Sequence, residues 1–450
     1  MGRTIIIEER VGDHISSLYG SYKCQIGLVI GQISPQQDYI IHLARTPEQS
    51  GINGIPDAES IPSTLEEIEN NWINEHARQV SRMLTGGLDV IGVFAFGPSD
   101  MLTKSQAKLR QLLYSVTKAV YHKPASYFDD LSYSRILLQI CSATKKITCR
   151  TIDTSDQRAN LNPAEVKYQS FASKWLKVEA SLSLCNKNFT IKRKLEKSSL
   201  QSQVMGSISS LLRSISNALC TVNGELINGD QLLVPGEKSG KSSRATSTQT
   251  FKIDIFTEEL NDSPKKEETH AVASLSMSGN MCCRAYVHQK ATVKEAVQAL
   301  KYDAIRSFLS RCEVLCEDIM DSQEEATSEG TPSSTWTCPQ RLFAPFGMGT
   351  ITVCDYVFKD ETVKESRERM IELLDVTPRE EDFECKEEFP DVQTVKSLVE
   401  EMDSKGSEDE AEEDEQSQQG IGKRVIGAVV GMVVAVVAAG ITFLWGEQAG

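Results

Sequence analysis

The chain has 450 residues, more than one hydrophobic core of ordinary size holds, and its 40% apolar and 25% charged residues suit soluble folded domains with extensions. Its net charge of −15 is local: 17 acidic residues against three lysines between 380 and 415 give −14, so the remainder is nearly neutral. This excludes the basic, aromatic-studded surface of a nucleic-acid binder, and no nucleic-acid partner is expected.

The start, MGRTIIIEERVG, carries a three-residue isoleucine run before two glutamates, which reads as a first strand at 4–8 and not as a signal peptide. Ile6 stands where a myristoylation signal needs Ser or Thr, so Gly2 is not an acylation site. Apolar runs at 25–33 and 38–43 are strand-like, with the turn SPQQD between them. Over 65–84, Ile68, Trp72, Ile73, His76, Val80 and Met83 recur near one face of a helix, which Gly86 and Gly87 end. The continuous apolar run 88–96 is that of a buried central strand.

A second amphipathic helix is expected at 102–121, then a hairpin of 135–141 and 146–151 around Ala143-Thr-Lys. Residues 175–194 alternate as sheet, 200–219 form a Ser-rich helix, and 235–249 are a polar loop. From 251 a second unit follows: strands at 251–256, 270–277 and 281–288, a long helix at 293–319 and a polar linker at 322–334. Strands at 341–345 and 349–358 and a helix at 361–374 close it. The fold class is α/β in the α+β sense. The expected divisions are an α/β domain at 1–195, a helix and polar connection at 196–250, a second α/β domain at 251–375 and an acidic tether at 376–422. The tether is expected to be disordered, because it buries too little apolar surface to offset the entropy of ordering.

The 22 residues from Val425 to Gly446 carry no charge and span about 33 Å as a helix, against a hydrocarbon core of about 30 Å. Lys423 and Arg424 precede them, Trp445 sits at an interfacial position and Glu447 follows, which places the N-terminal side in the cytosol. A C-terminal membrane anchor in a lipid bilayer, inserted after translation, is the expectation. Gly427, Gly431, Ala435 and Ala439 form one stripe of small residues along which a second helix can approach.

Catalytic signals are weak. PGEKSGKSS departs from the phosphate-loop spacing, since Gly236 is one residue too late before Gly240-Lys-Ser. None of the six histidines lies in HxH or HExxH. The twelve cysteines are scattered, and Cys24, Cys141, Cys185, Cys220 and Cys354 lie in apolar runs, as buried reduced thiols do. Cys312 and Cys316 lie one helical turn apart without the partners a zinc site needs, and Cys282 and Cys283 would point to opposite faces of a strand. No metal or cofactor is assigned. A membrane-tethered cysteine hydrolase using dispersed residues such as Cys283 and His288 stays open as the alternative to a non-enzymatic role.

Several segments together resemble one family: MGRTIIIEERVG, WINEHARQVSRMLTGG followed by DVIGVF, KYQSFASKW, CRAYVHQKATVKEAVQALKYD, RCEVLCED and CDYVFKDE, with the C-terminal apolar run. They are similar to the Odr-four family, tail-anchored proteins of the endoplasmic reticulum implicated in delivering odorant receptors and other multi-spanning receptors to the cell surface. The resemblance implies a single-pass protein of that membrane with cytosolic N-terminal domains. It also implies a partner, the cysteine protease of the ubiquitin-fold modifier. Finally, it implies an MPN (JAMM) relationship for the N-terminal domain. Active members carry V-V-G-W-Y-H-S-H-P, whose two histidines bind zinc; here the stretch is Val90, Ile91, Gly92, Val93, Phe94, Ala95, Phe96, Gly97, Pro98. Ala95 and Gly97 stand at the histidine positions without a donor atom, which makes the domain an expected pseudoenzyme.

Overall fold

Apolar, β-branched runs at the N-terminus are buried on both faces, which a strand requires when helices cover one side and other strands the other. Thr4–Ile7 (β1) pairs parallel with Gln37–Arg45 (β3), which pairs antiparallel with Gln25–Ile33 (β2). The sheet continues through Asp89–Gly97 (β4), Ser134–Cys141 (β5), Ile147–Asp153 (β6) and Asn162–Tyr168 (β7), and β7 returns to β1 to close a barrel. The computed structural model describes residues 3–48, 64–192, 200–234, 250–257, 271–329, 335–347, 350–359, 361–387 and 433–435.

One face of the barrel packs Ile5, Ile7, Phe94 and Phe96 with Val11, Ile15 and Leu18 of a helix, Val11–Leu18 (α1), that the sequence reading did not anticipate. The other face is covered by Asn70–Met83 (α2) and Gln106–Val120 (α4). The helix expected at 102–121 is broken at Ser105, with Ser99–Lys104 (α3) before the break and the short His122–Ala125 (α5) after α4. The expected hairpin is present as β5 and β6. Strand β7 is mostly exposed and so shows no apolar alternation by which to recognise it.

A second, mixed sheet has the order β11-β8-β10-β9, formed by Leu176–Lys192 (β8), Leu219–Val222 (β9), Thr250–Phe256 (β10) and Ala271–Val287 (β11). The pairing of β8 with β11 runs from Leu176↔Val287 to Lys192↔Ala271, so the segment assigned to the end of the first unit belongs to the second sheet. The boundary drawn at 195 therefore cuts this unit, and the change of sheet falls between Tyr168 and Leu176. The strands expected at 270–277 and 281–288 are one strand with a register shift at Met277/Gly279. The second sheet packs with Leu200–Asn217 (α6) and Val293–Glu329 (α7) around a core that includes Val178, Ile208, Leu212, Ile253, Cys283 and Phe308. Helix α7 runs into the stretch expected as a polar linker, because Gln, Glu and Ala there are strong helix formers.

Thr335–Thr337 (β12) precedes a last small sheet of Gln340–Pro345 (β13), Thr352–Val357 (β14) and Glu384–Cys385 (β15). Val363–Leu374 (α8) starts with a capping box, Thr362 with Glu365, and stops at Asp375 in the left-handed region, φ 54°. The acidic stretch from 376, expected to be largely disordered, is folded over its described residues, 376–387: Val376 is buried, β15 pairs with β13, and the Glu387 side chain is enclosed against Arg311. Buried guanidinium groups require counter-charge, and the acidic segment supplies it.

The expected span 425–446 lies outside the described residues except for Val433–Ala435 (β16), which is placed antiparallel to β12 and not as helix. A valine-rich run has the β-branched side chains that strand pairing favours. Among the described residues, no helix is long and apolar enough to cross a membrane.

Candidate functional site

The segment after α2 docks the barrel onto the second unit. Gly86 donates its N–H to Arg284 O at 2.9 Å and accepts from Tyr286 N–H at 2.8 Å, continuing the edge of β11. A Cβ on Gly86 would lie 2.4 Å from Ala299 O, and one on Gly87, whose φ is +77°, would lie 1.9 Å from Tyr286 O. The two glycines expected to end α2 are thus needed for backbone contact between units; the helix itself stops at Met83.

Beside this contact lies a cavity of about 270 Å³. The start of β4 brings Asp89 to it, β5 brings Arg135, the end of β11 brings His288, and α7 brings Glu295 and Tyr302. Arg135 is 2% exposed, and its guanidinium lies 4.0 Å from the centroid of the Tyr121 ring. Its Nη1 donates to Ser132 O at 3.0 Å and Ser134 O at 2.7 Å, whereas Nε and Nη2 make no hydrogen bond of ordinary geometry with a described residue. The Tyr302 hydroxyl lies within hydrogen-bonding reach of the Asp89 carboxyl.

Gln32 braces the rim, donating from Nε2 to Gly87 O at 2.8 Å and Tyr286 O at 3.0 Å and accepting from His288 N–H at 3.3 Å. The His288 ring stacks on Tyr39 at 5.4 Å, with Nε2 3.9 Å from Glu295 Oε1. Burial pushes the Asp89 carboxyl above its usual range, opposed by Arg306 and Arg135, and burial followed by the Asp89 charge raises the Tyr302 phenol well above its own. Burial works to raise Glu295 too, but its contacts with His288 and Thr292 hold it below the ordinary value. The arrangement is a buried charge network in which Arg306 and Arg135 face Asp89 and Tyr302 bonds to it. Of these residues only His288 stands out in the sequence as a candidate. The overlooked signal was charge inside apolar elements: Arg135 opens the run RILLQIC.

Ala95 and Gly97 lie on β4. The register of β4 against β2 passes from Val29↔Gly92 to Ile30↔Val90, so one extra residue enters β4 there. Beyond that bulge Ala95 and Gly97 share a face, two residues apart. Ala95 is wholly buried, and a Cβ on Gly97 would sit 3.4 Å from Met101 Sδ and 3.7 Å from Cys24 Cβ. The third atom near that Cβ position is the Lys23 carbonyl oxygen at 4.0 Å. Among the described residues no cluster of His, Cys, Asp or Glu is arranged to hold a metal ion.

Of the described free cysteines, all but Cys220 and Cys385 are buried. Cys282 packs with Phe343 and Cys354 while Cys283 joins the core of the second sheet, so the adjacent pair does face opposite ways. Burial, with the nearby Asp303 carboxylate, raises the Cys283 thiol well above its ordinary pKa. A nucleophilic cysteine needs the opposite shift and access to substrate, so the hydrolase alternative loses its named residue. Cys312 and Cys316 are buried in that same core. His42 and His76 bond to the last carbonyls of α8, Leu374 O at 2.6 Å and Leu373 O at 2.8 Å, which makes them structural. Of the residues named for the membrane segment, Ala435 falls in β16; Lys423, Arg424, Val425, Gly427, Gly431, Ala439, Trp445, Gly446 and Glu447 lie outside the described residues.

Residues 27–385 match the family model described as "ODR4-like: Odorant response abnormal 4-like". Among curated proteins, "Protein odr-4 homolog" of Mus musculus is 34% identical over 98% of this chain and 99% of its own length. The homologue from Gallus gallus is 36% identical over 90% of this chain and 91% of its own. Among solved structures, the "Crystal structure of UfSP from C.elegans" covers 83% of this chain and 56% of that chain at TM-score 0.41 and 10% identity, a likeness too slight to define the fold. A family match over most of the chain, joined to relatives aligned almost end to end, places this chain in the odr-4 family.

Proposed function

We propose that the protein is a non-enzymatic adaptor, held at the endoplasmic reticulum membrane by the segment from Val425 to Gly446, with the described domains on the cytosolic side. It recruits the soluble cysteine protease of the ubiquitin-fold modifier and assists the folding and surface delivery of multi-spanning, odorant-type receptors. The observation that carries this reading is membership, over residues 27–385, of a family named for its odorant-response phenotype. An uncharged 22-residue run flanked by Lys423 and Arg424 supports the membrane attachment, and its stripe at Gly427, Gly431 and Ala435 suits pairing with another helix. The barrel is read as an MPN-like domain used as a binding surface, because Ala95 and Gly97 share a β4 face and carry no donor.

Immunoprecipitation of the full chain from microsomes tests the proposal. The modifier protease is expected in the precipitate and on the membranes, and deletion of 425–446 should release both proteins to the soluble fraction. Protease that stays on membranes when the segment is deleted overturns the recruitment role.

A further inference from the structure

We propose that residues 389–402 of this chain dock as an amphipathic helix on the outer face of the second sheet, over Phe256 of β10 and Leu219 of β9. Val178, Ile253 and Val222 point into the core with α6 and α7, so the alternate residues of each strand face outward. Phe256 and Leu219 are direct cross-strand partners on that outer face, 57% and 73% exposed. The next outward pair is polar, with Thr221 Oγ1 donating to Asp254 Oδ2 at 2.9 Å. Large apolar side chains exposed singly are ordinary, but two set opposite each other on one open face mark a surface that something covers.

The occupant follows from where the chain runs next. Over β11 the outer face is already covered, by Phe343 and Cys354 packed with Cys282. The segment around β15 continues that cover, since Glu384 pairs with Arg284 Nη2 at 2.9 Å and Lys386 reaches Glu179 Oε1 of β8 at 3.4 Å. Glu179 is the cross-strand neighbour of the exposed Lys252, and Phe256 lies four residues, about 13 Å, further along β10. The cover thus ends at the border of the open part. Beyond Glu387, Phe389, Val392, Val395, Leu398, Val399 and Met402 recur at helical spacing, and the residues between Val392 and Met402 are otherwise polar. Pro390 stands where a first helical turn accepts it. Twelve residues from Asp391 make a helix of about 18 Å, and 388–390 bridge about 10 Å to its start. A helix begun at the Glu179 border brings Asp391 toward Lys252, and Leu398 and Met402 over Phe256 and Leu219. The stretches 193–199, 235–249 and 258–270, which adjoin strands of the same sheet or the helix packed on it, offer only Leu195 and Leu260 as large apolar residues and make no such stripe.

The test is hydrogen–deuterium exchange on the purified full chain in detergent micelles, read over peptides that span 389–402. Amides of 393–402 are expected to exchange at least about ten-fold more slowly than in a free peptide of the same sequence. Leu219→Ser combined with Phe256→Ser should abolish that protection and leave the melting temperature near the parent's, because both side chains are exposed. A photo-crosslinking p-benzoylphenylalanine in place of Met402 leaves the sheet unaltered and covers the case in which the double variant does not fold. It should join the segment to peptides that contain Leu219 or Phe256. The proposal is overturned if 393–402 exchanges at the free-peptide rate in the parent, or if cross-links form only to other peptides. Protection that survives the sheet substitutions, as docking on the micelle would give, also overturns it, as does protection that grows with protein concentration, the mark of a second copy on the face.

Discussion

Arg341 and Asp303 form a two-pronged ion pair inside the protein, Nη1 to Oδ2 at 2.7 Å and Nη2 to Oδ1 at 2.8 Å, with 1% and 0% of their side chains exposed. Asp303 Oδ2 also accepts the Arg284 N–H at 2.9 Å, and Arg341 Nη2 reaches Leu84 O at 3.4 Å. One pair therefore ties α7 to β11, to β13 and to the segment leaving α2. Arg306, one turn further along α7, donates to Leu84 O and Thr85 O, both at 2.8 Å, which extends the polar contact beneath the barrel. The barrel and second sheet consequently share a fixed junction, and the cavity lined by Arg135 lies next to it.

Breaking that pair leaves a buried guanidinium without its counter-charge, which costs about 3–5 kcal/mol in comparable sites. Asp303→Asn should lower the unfolding free energy by about that amount, measured by urea denaturation of the full chain. A loss below about 1 kcal/mol would show that Arg341 is compensated elsewhere.

Gly87 makes a sharper probe of the junction, since it combines a positive φ of 77° with a Cβ path blocked by Tyr286 O. Gly87→Ala should destabilise by at least about 2 kcal/mol through strain and steric overlap. Gly206, inside α6 with nothing near its missing Cβ, is the internal control: Gly206→Ala should stabilise by about 0.5–1 kcal/mol. Thermal melts of the two variants should move in opposite directions, and a shared direction contradicts the steric account.

Acid should loosen the grip of α2 and β3 on α8. Burial lowers the His76 pKa from 6.5 to about 4, and His42 is held down to about 4 by the same cause. Between those values the unfolded chain binds the extra proton and the folded chain does not, so stability is full above about pH 6.5 and falls until about pH 4. For His76, 3% exposed, the loss approaches about 3 kcal/mol; His42 keeps some solvent contact and contributes less. Melting temperature against pH should fall more gently in His76→Asn than in the parent, and equal slopes would falsify the assignment.

Thiol chemistry tests the non-enzymatic reading directly. Among the described cysteines, Cys385 is exposed and Cys283 fully buried, so iodoacetamide under native conditions should label Cys385 first and reach Cys283 only on unfolding. Rapid native labelling of Cys283 would restore the hydrolase alternative.

What the residues disclosed in advance depended on the range of the interaction. Strands β2, β4 and β5 and the amphipathic face of α2 with Ile73, Val80 and Met83 were legible, because periodicity is local. β7 was not, since its exposed residues carry no apolar pattern, and β8 was seen as a strand but its partner, about 100 residues away, was not. The cavity was hidden for the same reason. Arg135, Asp89 and Tyr302 come from three separate elements, and no spacing along the chain records that they meet.

The acidic segment is where a composition argument failed most instructively, and it yields the last prediction. Low apolar content predicts a largely disordered stretch from 376, yet Glu387 accepts the Arg341 N–H at 2.8 Å and the Cys282 N–H at 3.2 Å and pairs with Arg311. Such a carboxylate acts as a core residue, holding three elements at once. Glu387→Ala should therefore cost about 3–5 kcal/mol by stranding Arg311, and Glu387→Gln, which keeps the shape and loses the charge, should fall between that and the parent. Glu381, whose pair with Arg379 is 70% and 71% exposed, should tolerate alanine with no measurable change. Equal tolerance at 381 and 387 would return the whole segment to the status of a solvated tether. A gap between them, read from denaturation midpoints of the same chain, fixes the end of the folded part beyond Cys385.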